Sequence, residues 1–141
     1  MADSSDIDQA LIAKLSSDAA LLALMPNGVY WDQAPPKSSQ FVIVSFIDHE
    51  DGRSFDGRAF EDGLYLVKAV ELSTVATKNV KAAAARIDEL LENQTLSAAG
   101  YEFMTMFREQ RIRTTAIDDL DNTIRWFHRG GYYRIQMSTQ P

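Results

Sequence analysis

Residues 77–93 have the spacing of an amphipathic α-helix, whereas the other long apolar segments of this chain have the character of strands. Apolar residues recur there at steps of three and four, which places them on one side of a helix: Val80, Ala83, Ala84, Ile87, Leu90 and Leu91. With Thr77 as its N-cap, a helix of about seventeen residues is roughly 25 Å long, and neighbouring strands are about 4.8 Å apart. We therefore predict one helix packed across several strands of one sheet.

Two shorter helices are predicted at the start of the chain. The first begins at Ser5 or Asp6, continues to about Leu15 and has one apolar side. The second covers residues 18–24, with Ser17 as its N-cap. Met-Pro-Asn-Gly follows it, and proline together with Asn-Gly indicates that the helix ends there.

Strands account for most of the remaining apolar sequence. They are predicted at 29–31, 41–47, 64–72 and 101–109, with 112–117 continuing the last of these past a bulge. Residues 123–138 form either a final pair of strands or one long strand broken at the two adjacent glycines. This order of elements predicts an α+β fold in a single domain of residues 1–141. The fold has a mostly antiparallel sheet with one long helix packed across one face and a short N-terminal helix pair.

Two consecutive segments of this sheet differ in character. Residues 41–47, FVIVSFI, are apolar on both alternating faces, which predicts a central strand covered on both sides. Residues 48–63 are polar, with three Asp-Gly pairs interrupted by Phe55 and Phe60. They predict a long loop that is either functional or mobile.

Composition excludes several classes of protein. The 141 residues suit one domain, and the absence of cysteine excludes disulfides, thiolate metal sites and thiol nucleophiles. No apolar run is long enough to span a bilayer, so no membrane partner is expected. The first residues carry acids where a signal peptide needs positive charge, so nothing indicates export.

The net charge of −6 is unevenly distributed. Residues 1–63 contain 11 acids and 4 Lys or Arg, whereas residues 64–141 contain 9 acids and 10 Lys or Arg. One interpretation is an ordinary solvated surface. The other is an acidic surface that meets a less acidic surface on the next copy, as a head-to-tail ring requires. Sequence-independent binding of DNA is not expected, because it needs a net basic surface.

No catalytic or metal site is predicted. Residues 48–51, Asp-His-Glu-Asp, are the strongest candidate, but adjacent side chains on an extended segment point to opposite sides. Residues 118–122 contain three aspartates without the spacing of a calcium loop. His49 and His128 lack a motif that would supply a nucleophile, and no glycine-rich loop lies between a strand and a helix. We therefore predict neither an enzyme nor a cofactor.

Arginines cluster in the last third of the chain beside tyrosines and a tryptophan. Arginine with aromatic residues can stack single-stranded nucleic acid, but the same residue types are enriched at protein interfaces. The acidic remainder of the chain favours the protein interface. The residues predicted to form it are Arg108, Arg111, Arg113 and Arg125.

The order of these segments resembles a known family. A helix pair ending in ALLALMPNGVYWDQAPP is followed by FVIVSFID, a loop, a strand leading to VKAAAARIDELL, and a late IRWFHRGGYYRIQM. Together they resemble the small tail-completion or tail-terminator proteins of long-tailed bacteriophages, along nearly the whole chain. The acid-rich and glycine-rich segment 48–63 departs from that pattern.

The resemblance implies a structural virion protein, made in the host bacterial cytoplasm and located at the head-proximal end of the tail. It implies a homo-hexameric ring that ends polymerisation of the tail tube protein and contacts the head-tail connector. DNA would only pass through the lumen. The arginines above would contact the neighbouring subunit, and Phe55, Arg58 and Phe60 would contact the tube or connector. The alternatives are a head-completion or neck protein of the same joint, or a small α+β ligand-binding domain or enzyme with a pocket at His49 or His128.

Overall fold

The computed structural model describes residues 5–54, 57–72, 78–117, 120 and 123–139, with side chains omitted at 51–54, 57–59, 78 and 139. It has three helices in these ranges: α1 (Ser5–Ser16), α2 (Ala19–Leu24) and α3 (Lys78–Leu91). The N-cap of α2 is Asp18, whose carboxylate accepts the N–H of Leu21, and not the predicted Ser17. The predicted N-cap of α3, Thr77, lies outside the described residues.

Five strands form one sheet: β1 (Val29–Trp31), β2 (Gln40–Ser54), β3 (Gly57–Leu72), β4 (Tyr101–Ile117) and β5 (Arg125–Thr139). Their order across the sheet is β1-β2-β3-β5-β4. The short β1 is parallel to β2, and all other neighbours are antiparallel. The predicted α+β class with a mostly antiparallel sheet and a helix across one face is therefore confirmed.

The helices pack on one face of this sheet and enclose the core. Leu11, Leu21 and Ile87 are fully buried against the strand residues Val67 and Ile135. On β3 the buried and half-buried residues alternate strictly from 60 to 69, because successive side chains point to opposite faces. The opposite face carries no described helix.

Glu71 is a fully buried acid within this core. Its Oε2 accepts the N–H of Val80 at 3.0 Å in the first turn of α3, and its Oε1 accepts Gln40 Nε2 at 2.7 Å. The first N–H groups of a helix lack partners within the helix, and a buried acid without hydrogen bonds is costly. Glu71 therefore connects the start of α3 to both β3 and β2.

The prediction of a loop at 48–63 is wrong for the residues of this segment that the structure describes. Residues 48–54 continue β2 and residues 57–63 continue β3, so the segment is the outer part of a long antiparallel pair. Gly52 pairs with Phe60, and Gly63 pairs with both His49 and Ile135. At 51–52 and 62–63, pairing between strands therefore overrides the turn preference of Asp-Gly.

The prediction that 41–47 is covered on both faces holds only in part. Val42 and Val44 are buried under the helices, whereas on the opposite face Ile43 is buried and Phe41 and Ser45 are half-buried. The strand is second in the sheet, and a register shift after Phe46 leaves Ile47 exposed. The apolar residues on both faces therefore reflect helices on one side and only partial cover, near Ile43, on the other.

The last segment is one continuous strand, β5, which resolves the alternatives left open for 123–138. Gly130 lies where β5 crosses β3, and a Cβ atom there would lie 2.0 Å from the backbone oxygen of Val67. The two glycines therefore permit a close approach of strands instead of a turn.

Candidate functional site

A groove separates α3 from the outer strands β4 and β5 on the helix-covered face of the sheet. It encloses about 620 Å³. Its charged lining residues are five cations and one acid: Lys81, Asp88, Arg108, Arg111, Arg113 and Arg129. We call this site the basic groove.

A bulge in β4 collects the arginines of the groove on one face. In regular alternation Arg108 and Arg111 would point to opposite sides, because they are three residues apart. The register shifts between Arg108 and Gln110, so that Arg108 pairs with Tyr133 and Arg111 pairs with Gly131. Both arginines then face α3.

Gly131 provides the space for Arg108. A Cβ atom at Gly131 would lie 2.7 Å from Arg108 Cδ and 2.8 Å from the backbone oxygen of Gln110. The guanidinium of Arg108 lies 3.5 Å from Asp88 Oδ1, which also accepts the hydroxyl of Tyr133 at 2.9 Å. The Glu92 carboxylate accepts the backbone N–H of Arg108. Arg108 is therefore held in place from α3.

The other four cations of the groove differ from Arg108 because none of them forms an ion pair with a described residue. Arg113 and Arg129 lie directly opposite each other in the register of β4 and β5. Like charges in that position repel each other. Lys81 adds a third charge from the exposed side of α3. The groove therefore has an uncompensated positive charge that an anionic partner would relieve.

Three of the four predicted interface residues are brought together here. Arg108, Arg111 and Arg113 line the groove, whereas Arg125 does not. Arg125 pairs with Ile117, four residues along β5 from Arg129, which is about 13 Å at the usual rise of a strand. It donates to the backbone oxygen of Ile124 at 3.3 Å.

Sequence reasoning left two of the five cations of the groove, Lys81 and Arg129, out of the predicted interface. Arg129 alternates with Arg125 on the same face of β5, so strand periodicity could have indicated it once the strand was known to be continuous. Lys81 lies on the same side of α3 as Ala84, Ala85 and Asp88. Only the packing of α3 on the sheet brings it near the arginines.

The residues predicted to contact the tube or connector are only partly described. Phe55 lies outside the described residues, and for Arg58 only the backbone in β3 is described. Phe60 is half-buried in β3, where it pairs with Gly52 and Ser138. Arg58 and Phe60 therefore belong to a paired strand and not to a loop.

A second cavity of about 490 Å³ lies on the face of the sheet without helices, beneath residues 32–38. Phe41, Trp126, Lys68 and His128 are among its lining residues. Burial and the neighbouring Lys68 ammonium lower the pKa of His128 to about 4, so its ring is neutral at pH 7. Its Nδ1 is buried without a hydrogen bond to any described residue, so no described acid orients the ring as in a catalytic dyad.

His49, the other histidine, lies 3.5 Å from Glu61 Oε1 on the helix-covered face. Asp48 and Glu50, its neighbours in the chain, pair with Leu64 and Asp62. Among the described residues, no group of three His, Asp or Glu side chains is placed to hold a metal ion. In the same part of the chain, no helix has the length and apolarity needed to cross a bilayer.

Comparison with known proteins gives a likeness of fold. A chain from the structure of the virion of the native gene transfer agent (GTA) particle matches with a TM-score of 0.62 and 17% identity, covering 94% of both chains. A second solved structure matches with a TM-score of 0.58 and 15% identity, covering 100% of this chain and 98% of the other. No family model and no curated protein matches the sequence. At these identities the likeness shows a shared fold.

Proposed function

We propose that this chain is a structural virion protein that caps the head-proximal end of a phage tail tube as a ring. It ends polymerisation of the tube protein and joins the tail to the head connector. The observation that carries the proposal is the shared fold with a chain of the GTA virion, because it extends along 94% of both chains. The order of sequence segments, from ALLALMPNGVYWDQAPP to IRWFHRGGYYRIQM, supports the same assignment independently.

The role is structural and not catalytic. The two histidines lie apart on opposite faces of the sheet, one beside Glu61 and the other beside Lys68. Hydrolytic chemistry needs a nucleophile, a base and a group that orients the base, and the described contacts of the two histidines do not form such a set. The basic groove instead has the residue types of an interface, because arginine is enriched at contacts between proteins.

Within the ring, Arg108, Arg111, Arg113 and Arg125 contribute to the contact between neighbouring subunits. A closed ring uses heterologous contacts, so each subunit carries two different complementary surfaces. Arg58 and Phe60 in the outer part of the β2–β3 pair, together with Phe55, contact the tube or connector. The chain as a whole is acidic, which keeps passing DNA from binding to it.

Electron microscopy of lysates tests the proposal, using the phage that encodes this chain with a stop codon placed early in the gene. Overlong tail tubes without heads are the expected result, because nothing ends tube growth. Full heads beside free tails of normal length would move the protein to the neck or to head completion. Ordinary virions would refute a role in the joint altogether.

A further inference from the structure

We propose that the basic groove of one copy binds the opposite border of the sheet in a second copy. That border consists of Trp31, Asp32, Phe46, Ile47, Asp48 and Glu50, and we call it the β2 edge surface. The inference rests on the proposed function, because it identifies the two surfaces that join neighbours in the ring. It adds Lys81 and Arg129 to the contact and specifies its partner.

The β2 edge surface is a free border of the sheet. β1 pairs only with residues Val42 to Val44 of β2, so beyond that point no strand of the described chain lies on the side of β2 that faces away from β3. Three large apolar side chains are exposed together here: Trp31 at 37%, Phe46 at 43% and Ile47 at 46%. The rings of Trp31 and Phe46 both pack edge-on against Tyr65, at centroid distances of 6.3 and 5.6 Å. Tyr65 donates to Asp8 of α1, so the aromatic group is held against the core.

Acids lie beside these apolar side chains in the chain, and the pairing of Asp48 with Leu64 and of Glu50 with Asp62 places these two acids at the same border of the sheet but on its open face. Asp32, Asp48 and Glu50 are exposed, and none of them is ion-paired with another described residue. Asp48 only accepts the N–H of His49 through its Oδ1 at 2.9 Å. Exposed aromatic residues near charged residues are typical of a protein interface. The charge of these acids is opposite to that of the basic groove.

The two surfaces also suit each other in position and shape. β1 and β2 lie at one end of the strand order and β4 lies at the other, so a head-to-tail contact can bring them together. The side of the groove formed by α3 presents the small residues Ala84 and Ala85, which leave room for an aromatic side chain. Guanidinium groups also pack favourably on the faces of aromatic rings.

A nucleic acid is the other anionic occupant that arginines could bind. The whole chain carries a net charge of −6, and Asp88 lies within the groove itself. Binding to phosphates needs a net basic surface along the nucleic acid. The charge distribution therefore favours acids from a second copy.

Reciprocal charge reversal tests the pairing. The groove variant is Arg111→Glu with Arg113→Glu, and the edge variant is Asp48→Lys with Glu50→Lys. Self-association is measured by analytical ultracentrifugation over a range of protein concentrations at low and high salt, after circular dichroism has shown that each variant is folded. Each variant is expected to self-associate about tenfold or more weakly than the wild type, because like charges then meet at the contact. Added salt is expected to weaken association of the wild type.

The mixture of the two variants is the decisive sample. The reversed groove of one variant can bind the reversed edge of the other, and their unaltered surfaces also match, so an equimolar mixture should associate as the wild type does. The control is Lys14→Glu on α1, compared with Arg111→Glu as a single change. It makes the same change in net charge away from both surfaces and should leave self-association unchanged.

Three results would overturn the pairing: a wild type that stays monomeric at low salt, variants that associate normally, or a mixture that associates no better than either variant. Loss of binding to a duplex DNA probe by the groove variant, with unchanged self-association, would assign the groove to nucleic acid instead. If the mixture fails while the stop-codon phage makes overlong tubes, only this pairing is wrong. If that phage makes ordinary virions, the proposed function fails as well.

Discussion

The two faces of the sheet differ in how completely the chain covers them. On the helix-covered face, side chains such as Leu91, Val67 and Tyr133 have no exposed surface. On the other face, Leu66 and Tyr132 are only half-buried, although they neighbour buried residues in the chain. One face is therefore stabilised by the chain itself, and the other holds apolar surface that the described chain leaves in contact with water.

This difference between the faces predicts that substitutions on one face affect stability more than substitutions on the other. A fully packed face loses free energy when any side chain is shortened, because a cavity remains. A half-covered face loses less, since solvent already reaches it. The same substitution made on each face can therefore measure how much the loss of free energy of unfolding differs between them.

Shortening a leucine on each face should give the largest contrast. Leu91→Ala is expected to lower the free energy of unfolding by about 2–5 kcal/mol, because Leu91 is fully buried at the end of α3. Leu66→Ala is expected to cost about 1 kcal/mol, because Leu66 is half-buried on the open face. Urea denaturation followed by circular dichroism measures both. Equal losses would mean that the open face is packed as tightly as the covered one.

Glycine substitutions within the sheet should give the next largest difference in stability. Gly130→Ala places a Cβ atom 2.0 Å from the Val67 oxygen and 2.5 Å from Lys68 Cα, both backbone atoms. Gly63→Ala would meet only the side chain of Tyr65, at 2.9 Å. We expect Gly130→Ala to cost about 3 kcal/mol or more and Gly63→Ala about 1 kcal/mol. Thermal unfolding of the two variants side by side measures this order, and a reversed order would contradict the close approach of β3 and β5.

Much of the covered face could be predicted from the sequence, and the reason is periodicity. The stripe that ends at Leu91 was sufficient to predict α3 and its packing across the sheet. The alternation of 64–72 assigned Tyr65 and Val67 to the face opposite Leu66. Regular side-chain directions are local properties, so a local pattern can indicate them.

The rest depends on contacts between distant residues. The paired strands at 48–54 and 57–63 were missed because Asp-Gly pairs favour turns until a neighbouring strand binds them. In the candidate site, Arg111 and Arg113 were predicted from their clustering in sequence. The contribution of Lys81 depends on where α3 crosses β4, and the bulge that turns Arg108 toward α3 has no signature in composition.

The pH dependence of stability should also distinguish the faces. His128 on the open face has its pKa lowered to about 4 by burial and by Lys68, and Asp32 and Lys37 line the same cavity. Its pKa in the unfolded chain is about 6.5, so the unfolded state takes up a proton first as the pH falls. The stability associated with this residue is complete above pH 6.5 and declines toward pH 4. His128→Gln should flatten that decline in denaturant titrations.

Asp18 on the helix side provides the control for that measurement. Hydrogen bonds from Arg86 lower the pKa of Asp18 below its ordinary value, so its contribution is present above about pH 4 and is lost at lower pH. Asp18→Asn should therefore change stability without flattening the decline between pH 6.5 and 4. A decline that persists in His128→Gln would mean that another group causes it.

The smallest contrast involves two adjacent tyrosines on opposite faces. The Tyr133 hydroxyl donates to Asp88 Oδ1 at 2.9 Å under α3, whereas Tyr132 makes no hydrogen bond to a described residue. Removing a hydroxyl that is hydrogen-bonded to a half-buried acid costs about 1 kcal/mol, so Tyr133→Phe should lower the free energy of unfolding by that amount and Tyr132→Phe should leave it nearly unchanged. Because Asp88 also faces Arg108, Tyr133→Phe should leave that arginine as the remaining partner of the acid. The double change Tyr133→Phe with Arg108→Ala should then cost more than the sum of the two single changes, and simple additivity would show that Asp88 does not couple the groove to the core.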